Sequence, residues 1–211
     1  MQFPQTNSIQ TNQHLIQVKN QIIRDRRIGE IRNSCARLEA VAEDFTLVNH
    51  HGDFINLYDS LEENPVVINF YSPTDKIPTY DGEIIKLNKK LSGLNTRHFV
   101  VSQDQLFLNR LSQYNSLSNI DLLHDQHLSV FLKYGLVTHE IETSFELFEQ
   151  RRKPSSPLNL DVNAMYLIGN NKRIKFSQIN FSDQLIHKQA LLDEVTQLQS
   201  TSTMRTYHDT H

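Results

Sequence analysis

At 211 residues the chain can bury the core of one domain, with trimmings rather than a second unit of similar size. A net charge of −3 excludes binding to nucleic acid or anionic lipid by bulk charge, and no apolar run approaches the roughly 20 residues of a membrane-spanning helix. A single cysteine, Cys35, excludes an intrachain disulfide and any cysteine-built zinc site.

Residues 1–12, rich in Gln, Asn, Thr and Ser without periodicity, read as a disordered tail. They carry neither the basic nor the apolar region of a secretory signal, so a cytoplasmic location is the expectation. Residues 13–38 are assigned to an N-terminal helix, in which Leu15, Val18, Ile22, Ile28 and Ile31 form an apolar stripe opposite a charged face. That face includes Arg24, Arg26 and Arg27, interrupted by Asp25.

Residues 39–199 make the domain proper. Two short strands, Phe45–Val48 and Phe54–Leu57, flank the hairpin loop Asn49–Asp53. Tyr58–Glu63 is a polar connection with room for one helical turn. Val66–Tyr71 is a continuous apolar run rich in β-branched residues, as in a strand covered on both faces. A turn containing Ser72, Pro73, Thr74, Asp75 and Pro78 follows it. Tyr80, Ile84, Leu87 and Leu91 then recur at helical spacing. His98–Ser102 is a second buried strand, so the strand–helix–strand unit should be parallel with a right-handed crossover.

Leu106, Leu108, Leu111 and Tyr114 fit one face of a short helix, and Ile120–Leu123 a further strand. His127–Tyr134 fits another short helix, ended by Gly135. Residues 138–161 change character, with an acidic half, the basic run Arg151, Arg152 and Lys153, and two prolines around Ser155 and Ser156. They read as an insertion. Ala164–Ile168 and Arg173–Ser177 form a hairpin across Gly169, Asn170 and Asn171, residue types that tolerate positive φ. Ser182 can cap a final helix with Leu185, Leu191, Leu192, Val195 and Leu198 on its buried side. Residues 200–211 read as a disordered tail.

Several segments resemble the alkyl hydroperoxide reductase and thiol-specific antioxidant family, the peroxiredoxins. AEDFTL at 42–47 resembles the family's APDFTL, and PVVINFY at 65–71 its PVVLNFY. IDLLHD at 120–125 resembles FPVLSD, YGL at 134–136 its FGL, and NAMYLI at 163–168 its PATFVI. The resemblance runs from Val41 to Leu198. It implies an α/β, thioredoxin-like fold: a central mixed β-sheet flanked by helices, with an N-terminal helix and an insertion before the last β-hairpin.

In active relatives a peroxidatic cysteine stands in the first turn of the helix after the PVVLNFY strand. The helix dipole lowers its pKa there, and the thiolate attacks peroxide. Here that segment, TDKIPTY at 74–80, places Ile77 or a neighbour at the position. The family's cis-proline corresponds to Asn163, where a cis bond would cost roughly 2.5–4 kcal/mol, so a trans bond is expected.

The resemblance therefore implies a catalytically inactive binding or interaction module. A thiol peroxidase using Cys35, with Arg32 and Arg37 favouring its thiolate, is the enzymatic alternative. Small-anion binding at the 72–80 turn, with Thr74, Thr79 and Tyr80 as ligand-binding candidates, is the third. His50–His51 and the pair His124 and His127 lack the spacing of a ligand set, so neither metal nor cofactor is expected. A protein partner or a second copy would meet the N-terminal helix or the 138–161 insertion, with no role for nucleic acid or membrane.

Overall fold

A computed structural model describes residues 21–22, 24–71, 78–114, 119–137, 162–181 and 188–208, with side chains outside 78–80 and 201–208. The tail 1–12, the turn 72–77 with Thr74 and Ile77, the insertion 138–161, Ser182 and Leu185 lie outside these residues.

The first described helix, α1, covers 24–34. A hairpin of β1 (Thr46–Val48) and β2 (Phe54–Asn56) runs into α2 (Leu57–Glu63), then β3 (Val66–Tyr71), α3 (Pro78–Ser92) and β4 (Arg97–Ser102). After these come α4 (Gln105–Ser112), β5 (Ile120–His124), α5 (Ser129–Lys133), the hairpin β6 (Val162–Ile168) and β7 (Ile174–Phe181), and α6 (Lys188–His208).

Five strands form one mixed sheet in the order β5-β4-β3-β6-β7. β3, β4 and β5 are parallel, while β6 runs antiparallel to both β3 and β7. The parallel strands predicted at 66–71 and 98–102 are therefore present. β3 and β6 are buried along their whole length, because helices cover both faces.

On one face, Val66, Ile68, Phe70, Phe99, Val101 and Tyr166 pack with α1, α2 and α5. On the other, Val67, Met165 and Leu167 meet Leu87 and Leu91 of α3 and Leu191, Leu192 and Val195 of α6. Beside them, Tyr71, Val100 and Leu122 meet Ile84 and α4. Strand alternation alone decides which face each residue serves. Among the described residues no helix is long and apolar enough to cross a membrane.

The structure corrects five local readings. Leu57 belongs to a helix rather than to β2. The Asn56 side chain accepts from Asp59 N–H at 2.9 Å, starting α2 one residue earlier and turning Leu57 into the core. On α4 the buried face is Phe107, Leu108 and Leu111, because Asp104 caps the helix and sets its phase. Leu106, at 79 % exposed, points outward, and Tyr114 lies past the end of α4.

In the 169–172 turn the positive φ falls on Lys172, at +63°, and on none of Gly169, Asn170 or Asn171. The Lys172 ammonium lies 4.0 Å from the centre of the Tyr58 ring, a contact that helps hold this unusual backbone. Finally, α6 continues to His208, past the Ser200 boundary of the expected tail. Ile31 of α1 is buried as expected, but Ile22, ahead of α1, is 63 % exposed.

Candidate functional site

Strand register gathers a row of polar side chains at the C-terminal ends of the parallel strands. Tyr71 lies opposite Ser102 on β4 and Asn163 on β6, Ser102 lies opposite His124, and Asn163 opposite Asn180. By alternation with Val67, Val100, Leu122 and Met165, all five belong to the face covered by α3, α4 and α6. The row crosses the sheet beside the start of α3.

Most of these groups are committed. Ser102 Oγ donates to Tyr71 O at 2.9 Å and accepts from Asp104 N–H at 3.1 Å, locking the end of β4 to β3. His124 Nε2 lies 3.1 Å from Gln103 O. Tyr71 packs its ring on Phe107, with centroids 5.6 Å apart. Asn163, at 2 % exposed, is the exception: its Oδ1 has no partner among the described residues. The peptide bond leading into Asn163 is trans, as expected once proline is absent.

The charge at the start of α3 is negative and already matched. Asp81, in the first turn, accepts from Arg110 Nε at 2.8 Å and from Arg110 Nη2 at 3.0 Å, with Tyr114 Oη at 3.4 Å. This two-pronged pair fastens α4 to α3. Asp81→Ala should cost about 1–2 kcal/mol, less than a fully buried pair, because the Arg110 side chain is 41 % exposed and can turn to water. Urea denaturation checks the figure. Further along α3, Lys188 of α6 donates to Glu83, and that hydrogen bond holds the Glu83 carboxyl below its ordinary pKa.

Cys35 lies elsewhere. It follows α1 on the opposite side of the sheet from α3, where Ala36 N–H donates to Tyr134 O at 3.1 Å and Ala36 packs on the α1–α5 core. The thiol donates to Arg32 O at 3.4 Å. Burial pushes its pKa up, outweighing the opposing pull of its backbone hydrogen bond and of Arg37. The Arg32 guanidinium is instead over the Phe181 ring, 5.6 Å from its centre. The expected help from two arginines is thus reduced to one, and desolvation overrides it.

Thr79 and Tyr80 fall in the first turn of α3, and their side chains lie outside the described residues, as does Thr74. The rings of His50 and His51 lie 3.8 Å apart, tilted by 40°; burial lowers the His50 pKa, and His51 adds to the effect. Among the described residues no group of three or more His, Cys, Asp or Glu side chains converges as metal ligands.

The model of the AhpC/TSA family matches residues 38–177. The chain belongs to the AhpC/TSA family. No curated protein matches it. Solved structures with the same fold include a yeast mitochondrial 1-Cys peroxiredoxin, 17 % identical with a TM-score of 0.60, covering 80 % of this chain and 78 % of that one. A reduced 2-Cys peroxiredoxin of Plasmodium vivax is 18 % identical with a TM-score of 0.57, covering 80 % and 84 %. AhpC of Mycobacterium tuberculosis is 14 % identical, also at 0.57, covering 79 % and 95 %.

Within this AhpC/TSA chain the stretch 72–80 contains no cysteine, so the peroxidatic residue is missing. Ser102, Asn180 and the Asp81–Arg110 pair were not foreseen as parts of the site. Asn180 was legible: Gln178-Ile179-Asn180-Phe181 continues the alternation of β7 beyond Ser177. The cross-strand row as a whole depends on register, which the sequence does not display.

Proposed function

We propose that this AhpC/TSA-family protein is a catalytically inactive binding or interaction module. The observation that carries the reading is the separation of the lone thiol from the helix start: Cys35 and α3 serve opposite faces of the sheet. A helix N-terminus cannot lower the pKa of a thiol beyond its first turn, and burial raises that of Cys35. Asn163, standing where the family has proline, gives the same edge an amide in place of a rigid ring.

The surfaces proposed for a partner, or for a second copy, are the N-terminal helix, with the exposed Ile22 ahead of α1, and the 138–161 insertion. Native mass measurement of the full chain, alone and after gentle isolation from its source, tests this. A stable dimer or a stoichiometric complex is the expected result. A strict monomer with nothing retained would contradict it.

Small-anion binding at 72–80 has weaker support, because Asp81 places a carboxylate in the first turn and Arg110 is engaged with it. Sulfate and inorganic phosphate are expected to leave the melting temperature unchanged beyond their general salt effect, and a saturable rise would favour this alternative. A peroxidase working through Cys35 is the enzymatic alternative, set against the raised thiol pKa.

A further inference from the structure

Three polar atoms without partners among the described residues lie on one face of the sheet, beneath α3. They are Asn163 Oδ1, Asn69 Oδ1 and His98 Nδ1, in side chains that are 2 %, 0 % and 0 % exposed. They are contiguous. Asn69 Nδ2 is 3.0 Å from His98 Nε2. Asn163 is the diagonal neighbour of Asn69, since Tyr71 pairs with Asn163 and Asn69 with Met165. Diagonal neighbours stand roughly 7–8 Å apart at the backbone, so Asn163 adjoins Asn69 on the same face.

With Asn69 donating to Nε2, the neutral His98 ring carries its proton on Nδ1. The track then offers two acceptors and one donor. A buried polar group is costly to leave unmatched, so three neighbouring groups favour an occupant that can both donate and accept. An anion fails, because it brings no donor to two carbonyl oxygens. A cation fails at the imidazole N–H, and Lys188 already bears on this ring. A hydroxyl meets both demands, and water needs only two to four polar partners to be held.

We infer that small hydroxylic molecules, water foremost, occupy the layer between the sheet and α3 and bridge Asn163, Asn69 and His98. The site lies on the face that Ile84 and Leu87 of α3 cover. It is independent of whether the protein is an enzyme. It makes the seat of α3 partly hydrogen-bonded rather than wholly packed, on the helix whose first turn adjoins the polar row.

A crystal structure of the full chain at a resolution that places waters, with water-to-protein cross-relaxation on the ¹⁵N-histidine-labelled protein in solution, tests the inference. The expected result is solvent density within about 3.2 Å of at least two of the three atoms, with cross-relaxation between bound water and the His98 ring. Direct apolar contact over all three atoms, with no such density and no water signal at His98, would overturn it. A bound molecule lacking any hydroxyl would overturn it too.

Discussion

Lowering the pH from 7 to 5 should cost the protein about 2 kcal/mol of stability through His98. Burial, with Lys188 adding to it, drives the His98 pKa down to about 3, against 6.5 for the ordinary side chain. The groups acting on it are the Asn69 amide from β3 and Lys188 from α6, with Glu83 as the partner of Lys188. None is a free carboxylate that would welcome an imidazolium.

Between pH 6.5 and 3 the unfolded chain binds a proton at this position and the folded chain does not. The stabilisation is therefore present in full above 6.5 and is lost as pH falls, at about 1.4 kcal/mol per unit. Urea midpoints at pH 7 and pH 5 for the protein and for His98→Gln isolate the effect. The parent should lose about 2 kcal/mol over that interval and the variant much less. His50, whose pKa is also lowered by partial burial, pulls the same way, so His50→Gln serves as the parallel control. Equal pH dependence in parent and His98→Gln would show that His98 is not the buried neutral group described.

Gly135→Ala is expected to be the most damaging single-methyl change, at about 3 kcal/mol or more. Gly135 has φ of +67°, in the left-handed region that costs an alanine roughly 1–2 kcal/mol. A β-carbon there would sit 2.2 Å from Ser34 O and 2.8 Å from Cys35 N, backbone atoms that cannot rotate away. Relief requires moving the end of α1 off α5. That would strain the Ala36 N–H bond to Tyr134 O and the 3.2 Å bond from Ser34 Oγ to Gly135 O.

Gly93→Ala is the matched control, because its nearest neighbour would be 3.5 Å away, an ordinary contact. Melting temperature and proteolysis within α1 report the outcome. Equal behaviour of the two variants would mean that α1 is not anchored at this point.

Gly135 also shows how far the sequence alone reaches. Its role as a helix terminator was legible from position, since glycine commonly follows a helix. The close approach of α1 was not, because the clash partner is 101 residues away along the chain. The same division holds elsewhere. β3, β4 and β6 were legible as continuous apolar runs, and the parallel pairing followed from the intervening helix. The α4 face was misassigned because Leu106 and Phe107 are adjacent apolar residues, and only the Asp104 cap decides which one turns inward.

At the candidate site, the missing thiol at 72–80 could be read directly. The row from His124 to Asn180 could not, since it assembles five residues spread over the chain through register. Nor could the commitment of Arg110 to Asp81, which leaves the start of α3 without an unengaged arginine from α4. His98 appeared in the sequence only as the first residue of a strand, and its burial follows from α3 and α6 closing over it.

The most direct test is peroxide consumption by the full chain, supplied with a dithiol reductant and compared with Cys35→Ser. The expected result is no turnover above the buffer rate in either protein, with Cys35 reacting no faster than an ordinary thiol. Catalytic turnover that disappears in Cys35→Ser would contradict a family scaffold that has parted from its chemistry.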